Sequence, residues 1–543
     1  MKPNSQTPFP VFRRTSSALL TALLISGLSA CGGGSGPSTA SSGLTNGTVT
    51  GFGSVIVDGT EIEDANAHVF RENYDGSTSA DVLQMGQRVK VKHDGKNTAS
   101  TVTIDAAVVG TVSAIDSTAK TLFVAGQKVS INADSTNTAA PLTVFGGGYT
   151  DLASVVAGDL VEVHGTPVYS ASSNSYTVQA TRLAKKTSIA KAQVSGLITN
   201  YTANANGSAS FKLNGLSVST SSTTALRPSG TTLANGLQVT AWSNSTDFTS
   251  GTFAAQYLRV DKNQSSGNTA MTAQLSGVVS GYSAGGSSIN VGGSTVAINS
   301  ATVVTDGKGV SATLSNGAYV VLTGTVASDG SLTATSVRVR TADTSAALAQ
   351  VLLIGTISDY VNDTSFVVRG VPVDASASNL VKNNCPSPLA NDVAVRVQAS
   401  QQAGTNVVLA SRIDCNPNTS TQLIRAAEGT AGSTNVSTRT FVLTLAGSTA
   451  RNVQWNDTTV FLDVTQPTTT ASTTLDGKVL RVDGYMGSDG STLVARTVRL
   501  DSDGSGNGEA HTTLDDSGFR KKKSGATPAL VPSGWDNYRQ KRR

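Results

Sequence analysis

The chain has few of the residues from which catalytic and metal sites are built. Its 543 residues include 4 His, 3 Cys and 3 Trp, and only 14% of residues are charged. The histidines stand singly, at His68, His93, His164 and His511. Zinc and acid/base sites need groups that converge, and the sequence has no HExxH or CxxC spacing to supply them. We therefore expect no metal, no cofactor and no enzymatic activity.

Aromatic residues and net charge are also scarce. Aromatics make up 5% of the chain, and the net charge is +4. Residues 1–30 and 520–543 carry all of this excess, which leaves residues 31–519 near −6. Binding of single-stranded nucleic acid needs aromatics stacked along a basic groove. A nucleic acid partner is therefore not expected.

The only long apolar run is ALLTALLISGL, which follows Arg13 and Arg14 near the N-terminus. It is too short to span a bilayer and is typical of an export signal, here residues 1–30. The tetrapeptide Leu28–Cys31 resembles a bacterial lipobox, which implies that Cys31 is lipidated. Ordinary cleavage beside an incidental cysteine is the alternative. By the same resemblance Gly32 favours the outer membrane, and the Gly/Ser-rich residues 31–43 are expected to form the lipid-anchored tether.

Cys385 and Cys415 remain once Cys31 is assigned to the anchor. In an oxidising compartment a disulfide between them is the natural prediction. Two buried free thiols are the alternative, and a zinc site is weaker because no His lies near either cysteine.

One sequence motif recurs along the chain and indicates its domain organisation. The motif consists of an apolar residue, two spacers, Gly, two further spacers and then Val-x-apolar. It appears as LQMGQRVKV, VVAGDLVEV, LANGLQVTA, LSNGAYVVL, LANDVAVRV and, with a variant start, TLDGKVLRV. The marker residues are spaced 72, 78, 81, 75 and 85 residues apart, at Gly86, Gly158, Gly236, Gly317, Asp392 and Gly477. This is a domain-sized period, so six copies of one small domain are predicted.

Each copy begins with Gly-x-Val/Ile and continues as alternating strands with turn residues between them. We expect an all-β protein of six tandem, OB-like barrels of about 75 residues, with a small sandwich as the alternative. The predicted repeats 1 to 6 are residues 44–107, 108–186, 193–262, 274–341, 351–416 and 427–501. Residues 502–543 are predicted to be a disordered basic tail.

The last hairpin of a repeat has nearly the same sequence in two copies, SDGSLTATSVRVRT at 328–341 and SDGSTLVARTVRLD at 488–501. We call it the closing hairpin. Asp-Gly in both copies predicts a type I′ turn. Alternation places Val337, Val339, Val498 and Leu500 in the core. It places Arg338, Arg340 and Arg499 in water.

These repeats resemble bacterial envelope lipoproteins whose tandem all-β units are known only as a domain of unknown function of the DUF5666 type. The resemblance covers residues 44–501 and rests on structural Gly and Val positions. It implies no catalytic residues. The fifth copy departs from the pattern, with Asp392 at the marker position.

Two motifs imitate catalytic sites. GYSAG, with Ser283 at its centre, matches a nucleophile elbow, but a strand follows where that motif needs a helix. A hairpin loop is predicted instead. EIED at 61–64 alternates as a strand does, and its acids are expected to face solvent.

Two further stretches near the C-terminus have charged patterns. Asp501, Asp503, Ser505 and Glu509 imitate the first half of a calcium loop, but Thr512 stands where its bidentate Glu belongs, so an acidic linker is favoured. Residues 520–543 hold eight Lys or Arg against one acid. They are expected to be solvated, with contact to anionic lipid or glycan phosphate, aided by Trp535 and Tyr538, as the alternative.

These observations favour a non-enzymatic envelope lipoprotein that acts as a binding module or spacer, held at the membrane by its lipid. An envelope protein or glycan is the expected partner. A carbohydrate-binding protein of the cell surface is the alternative; it needs exposed aromatic platforms such as Trp242 or Trp455. An envelope hydrolase is the least favoured class.

Overall fold

The computed structural model describes most of the chain between residues 42 and 500. The described residues are 42–95, 98–134, 137, 141–170, 173, 175–244, 248, 251–261, 271–306, 310–327, 330–340, 350–415, 424–445, 450–456, 459–462, 464–467, 475–487, 489 and 491–500. They form an all-β structure with a single 3₁₀ turn at Leu152–Ser154. Within these ranges no helix has the length and hydrophobicity needed to cross a membrane.

The strands fall into six groups, one for each repeat. Repeat 1 contains β1 Gly43–Phe52, β2 Val55–Val57, β3 Thr60–Ile62, β4 His68–Glu72, β5 Thr78–Ala80, β6 Arg88–His93 and β7 Ala99–Ile104. Repeat 2 contains β8 Val108–Asp116, β9 Thr121–Val124, β10 Gln127–Ile131, β11 Val144–Gly146, β12 Leu160–Ser170 and β13 Ser175–Lys185. Repeat 3 contains β14 Ala192–Ala203, β15 Ala209–Leu213, β16 Leu216–Thr220, β17 Ala225–Arg227, β18 Gln238–Ser243, β19 Thr252–Ala254 and β20 Tyr257–Val260.

The last three groups repeat the same order. Repeat 4 contains β21 Met271–Ser280, β22 Ser288–Val291, β23 Ser294–Ala297, β24 Val303–Thr305, β25 Tyr319–Val326 and β26 Leu332–Val339. Repeat 5 contains β27 Gln350–Asn362, β28 Ser365–Val368, β29 Val371–Asp374, β30 Val381–Asn383, β31 Ala394–Gln401 and β32 Val408–Cys415. Repeat 6 contains β33 Ile424–Asn435, β34 Thr440–Leu445, β35 Ala450–Gln454, β36 Val460–Leu462, β37 Val479–Met486 and β38 Leu493–Leu500.

Each group closes into a small barrel, as repeat 2 illustrates. Strand β8 pairs antiparallel with β9 on one side and with β12 on the other. Strand β10 then pairs in parallel with β13, which joins Val129 to Val178 and completes the circle. Closure leaves no long free edge. The predicted barrel is therefore confirmed, and the sandwich is not formed.

The recurring marker glycine is explained by its backbone conformation. All five marker glycines have φ between 79° and 94°. In this left-handed region a Cβ clashes, so glycine is favoured. Asp392 in repeat 5 has φ 67° and keeps the same conformation, because Asp is one of the few other residues that tolerate it.

The two-residue turn lies elsewhere than the sequence predicted. Asp489 in the closing hairpin accepts hydrogen bonds from the backbone N–H of Ser491 and Thr492 at 3.1 and 3.0 Å. Strand β37 ends at Met486 and β38 begins at Leu493, so their connection is longer than a two-residue type I′ turn. Turns with two consecutive positive φ angles instead join the second and third strands of repeats 1 to 5, beginning at Asp58, Ala125, Asn214, Gly292 and Arg369.

Repeat 1 contacts every other repeat. Residues Gly43–Asn46 of β1 pair in parallel with β21 of repeat 4, and the other end of β1 pairs with β27 of repeat 5. Lys90 forms an ion pair with Asp261 of repeat 3 at 2.9 Å. The contacts with repeats 2 and 6 are the ion pairs described below. The six barrels are therefore packed around repeat 1 and do not lie in line.

Candidate functional site

A cavity of about 320 Å³ lies where repeats 1, 2, 5 and 6 meet. Seven Arg or Lys side chains and three carboxylates line it. The arginines come from all four repeats: Arg71, Arg182, Arg369, Arg496 and Arg499. This concentration of positive charge contrasts with the acidic balance of residues 31–519 as a whole.

The wall between repeats 1 and 2 is a buried charged network. Arg71 donates to both carboxylate oxygens of Glu162, at 2.7 and 2.8 Å, and also pairs with Asp81. Burial alone would lower the pKa of Arg71, but Glu162 and Asp81 raise it. Burial likewise opposes ionisation of Glu162, yet Arg71 and His164 hold its pKa well below the usual range. Both groups are therefore charged at neutral pH and bind the two repeats together.

His164 extends this network into the interior. Its Nδ1 accepts from the backbone N–H of Arg88 at 3.2 Å, so its Nε2 carries the proton and donates to Glu162 at 2.7 Å. Burial lowers the pKa of His164. The ring is thus neutral and part of the repeat 1 to repeat 2 contact. This role could not be predicted from the sequence, because His164 is an isolated histidine there.

Arg182 lines the same wall without a carboxylate partner. Its guanidinium donates to the backbone oxygen of Met85 at 3.1 Å and to the side chain of Gln84. No carboxylate lies within 4 Å of it among the residues that the structure describes. Burial lowers its pKa to about 10. The charge is held in place by neutral acceptors only.

Arg369 enters the cavity from repeat 5. It is the first residue of the turn between β28 and β29, and its φ is 55°. Its guanidinium lies 5.3 Å from the ring centre of Phe52 in repeat 1. The side chain is partly exposed, but its Nη1 is buried and has no hydrogen-bond acceptor among the described residues. Burial, and then the charge of Arg496, lower the pKa of Arg369 to about 10.

Two sequence predictions about charged residues are corrected here. Asp64, expected to face solvent, is 1% exposed and accepts from Arg496 of repeat 6 at 2.7 Å. Arg499, expected in water, lines the cavity, and its Nε is buried. In both cases the side chain lies where different repeats meet.

Other sequence candidates lie away from the cavity. Ser283 is exposed in the loop that joins antiparallel strands β21 and β22, which confirms the hairpin prediction. Trp242 and Trp455 are 5% and 1% exposed, so they offer no platform for a sugar ring. Trp455 packs in the core of repeat 6, and Trp242 donates to the side chain of Gln193 at 3.1 Å. His68 is exposed and His93 is half-buried. Of the closing-hairpin residues, Val337, Val339 and Val498 are buried, while Leu500 is only half-buried.

Cys385 and Cys415 are joined by a disulfide within repeat 5, the pair that the sequence predicted. Cys31 and the tether lie outside the described residues. So do the calcium candidates Asp501, Asp503, Ser505 and Glu509, His511 and the basic tail with Trp535 and Tyr538. Among the residues that are described, no three His, Cys, Asp or Glu side chains form a group that could hold a metal ion.

Three segments of the chain match one family model, described as a domain of unknown function (DUF5666). The matched residues are 109–182, 276–338 and 354–414. The chain therefore contains repeated segments that are similar to this domain of unknown function. The matches fall in repeats 2, 4 and 5, and repeats 1, 3 and 6 share their barrel topology. No curated protein matches the chain.

The arginines of the cavity could not be predicted from the sequence, because each lies in a segment with the ordinary pattern of a strand or a turn. One local signal was available. VRG at 368–370 places Arg369 where the equivalent turns of repeats 1, 3 and 4 have Asp, Asn and Gly, the residues that favour a left-handed backbone. A long cationic side chain is not favoured by the left-handed backbone of this turn. Such a conflict between residue type and local structure is typical of functional sites.

Proposed function

We propose that this chain is a non-enzymatic binding protein of the bacterial cell envelope, anchored through Cys31, whose repeats together form one ligand site. The observation that carries the proposal is the cavity shared by repeats 1, 2, 5 and 6. Its volume of about 320 Å³ falls within the range of small-molecule sites, roughly 300 to 1,000 Å³.

The walls of this cavity are fixed before any ligand arrives. The Arg71 to Glu162 pair joins repeats 1 and 2, and the Arg496 to Asp64 pair joins repeats 1 and 6. Binding sites that are held by such supporting contacts lose little entropy on ligand binding. A cavity built from four repeats also gives a physical reason for keeping them in one chain.

A spacer role is less well supported. Spacers gain reach when their units lie in line, whereas here repeat 1 contacts the other five. The carbohydrate-binding alternative needs exposed aromatic platforms, and the two tryptophans considered for it are buried.

The envelope location is tested by lipid labelling in a bacterial host. Cells are grown with an alkyne fatty acid, and the wild-type chain is compared with Cys31→Ser. We expect the label and detergent-dependent solubility in the wild type only. Equal labelling of both proteins, or none in either, would remove the anchor from the proposal.

Ligand binding is tested by native mass spectrometry of the protein purified from its own host without denaturation. We expect the folded protein to carry extra mass that disappears on unfolding. Ala65 lines the cavity and is only half-buried, so Ala65→Trp should fill the space and displace the ligand. Ser283→Trp, in an exposed loop that does not line the cavity, is the control. Retained mass that survives Ala65→Trp would place binding elsewhere.

A further inference from the structure

We propose that the cavity binds a small molecule that carries a phosphate or carboxylate group, with Arg369 as the residue that contacts this group. The inference rests on the proposed function and names the class of its ligand.

The first support is the charge of the cavity lining. Seven cations and three carboxylates line the cavity, while residues 31–519 are acidic overall. Asp159 and Asp64, outside the lining, pair with Lys185 and Arg496, so two positive charges remain in excess. Composition alone would not gather these cations from four repeats at one point. A low-dielectric cavity with such an excess strengthens the attraction for an anion.

The second support is which cations lack a partner. Arg71 is paired with Glu162 and Asp81, and Arg496 is paired with Asp64. Arg182 and Arg369 have no carboxylate within 4 Å among the described residues. Arg182 is buried, and leaving a buried charge without a counter-ion is strongly unfavourable. An anionic ligand would supply the missing counter-charge.

The third support is the unused donor of Arg369. Its Nη1 is buried and has no acceptor in the described part of the chain, although nearly all buried donors in proteins are satisfied. The planar guanidinium presents pairs of N–H groups that match the oxygens of phosphate and carboxylate. The ligand group would accept the hydrogen bond that the protein leaves open.

The fourth support is the backbone position of Arg369. Its φ of 55° is uncommon outside glycine, and Asp58, Ala125, Asn214 and Gly292 occupy the same turn position in other repeats. Asp58 already uses this position for a contact between repeats, since it accepts from the hydroxyl of Tyr319 at 2.8 Å. A barrel needs only a turn here, so the long cation serves something other than the turn.

The test is calorimetric titration of the whole lipid-free chain, at low salt, with inorganic phosphate, with citrate and with glucose. Three variants accompany the wild type. Arg369→Asn removes the cation and leaves Asn-Gly, the preferred type I′ pair, so the turn itself is kept. Arg369→Lys keeps the positive charge but removes the paired N–H donors of the guanidinium. Arg338→Asn removes a cation from an exposed strand position outside the cavity.

We expect phosphate or citrate to bind with one site per chain and glucose not to bind. Arg369→Asn should weaken that binding at least about tenfold, because a charge-assisted hydrogen bond is lost. Arg369→Lys should be intermediate, and Arg338→Asn should match the wild type. The thermal midpoint of ligand-free Arg369→Asn should equal or exceed that of the wild type. A residue with only a structural role would lower it.

Three outcomes would overturn this inference alone. One is equal anion binding by Arg369→Asn and the wild type, and another is saturable binding of glucose alone. The third is no binding of either anion together with a neutral molecule retained in native mass spectrometry, which leaves the proposed function standing. Absence of both anion binding and any retained molecule would remove the two proposals together.

Discussion

Arg496 of the last repeat donates to the carboxylate of Asp64 in the first repeat at 2.7 Å, across 432 residues of sequence. Asp64 is 1% exposed, so the pair is buried where two barrels meet. This contact brings the two ends of the described array together.

Loss of this pair should destabilise the protein. Arg496→Ala leaves the Asp64 carboxylate buried without its partner, and breaking a buried pair in this way costs about 3 to 5 kcal/mol. Urea unfolding followed by circular dichroism measures the effect. Arg412→Ala, which breaks an exposed 2.9 Å pair with Asp414, should cost less than about 1 kcal/mol. Equal effects of the two substitutions would contradict the buried contact between repeats 1 and 6.

The packing around repeat 1 predicts a compact particle. A recombinant chain of residues 42–500 should have a radius of gyration of about 23 Å by the scaling of compact domains. Six barrels in line would give a value roughly twice as large. Small-angle X-ray scattering at several protein concentrations distinguishes the two, and a value near the larger one would refute the arrangement described here.

Stability should fall as the pH falls from 7.5 to 5, and His164 is the main cause. Its folded-state pKa is lowered by burial, with the charges of Arg71 and Arg182 acting in the same direction. The stabilisation from a neutral ring is therefore complete above the ordinary pKa of about 6.5 and is lost as the pH falls toward the folded value. Each unit of depression corresponds to about 1.4 kcal/mol.

Glu162 affects stability over a lower range of pH. Its pKa is depressed, so its contribution is complete above about 4.5 and disappears below that pH. Thermal midpoints measured at half-unit pH steps separate the two groups. His164→Gln should flatten the profile between pH 7.5 and 5, while His68→Gln, at an exposed position, should leave it unchanged. An unaltered profile in His164→Gln would assign the effect to another group.

The disulfide of repeat 5 should contribute measurably to stability. Cys385 and Cys415 are 30 residues apart, and closing a loop of that length stabilises by about 4 kcal/mol in the chain-entropy account. Replacing both with Ser should lower the free energy of unfolding by about that amount. Dithiothreitol should produce the same loss in the wild type and no further change in the double variant. A wild type that is insensitive to reduction would contradict this.

The barrels could be predicted from the sequence because their determinants are local. The marker glycines and Asp392 share one backbone conformation, and Val337 and Val498 are buried by simple alternation. Such signals repeat in every copy and need no knowledge of the neighbouring barrels. The cavity has no such signal, because Arg182, Arg369 and Arg499 meet only after distant repeats pack.

The errors have the same origin. Arg499 has the alternation of a solvent-facing position but lies in the cavity where repeats meet, and Asp64, two residues after the buried Ile62, pairs with Arg496 of repeat 6. The position of the two-residue turn was also missed, since Asp-Gly in the closing hairpins suggested it there, whereas Asp58-Gly59 and its counterparts form it between the second and third strands. Contacts between repeats therefore set the limit of prediction from this sequence.

The contacts of repeat 1 with the other five repeats also constrain how such a chain can evolve. Open arrays gain or lose units readily, because an inserted unit finds the same two neighbours as any other. Here each copy meets a different surface of repeat 1, and the sixth returns to Asp64 of the first. Loss of repeat 1, 2, 5 or 6 would remove a wall of the cavity. The six copies are thus no longer interchangeable.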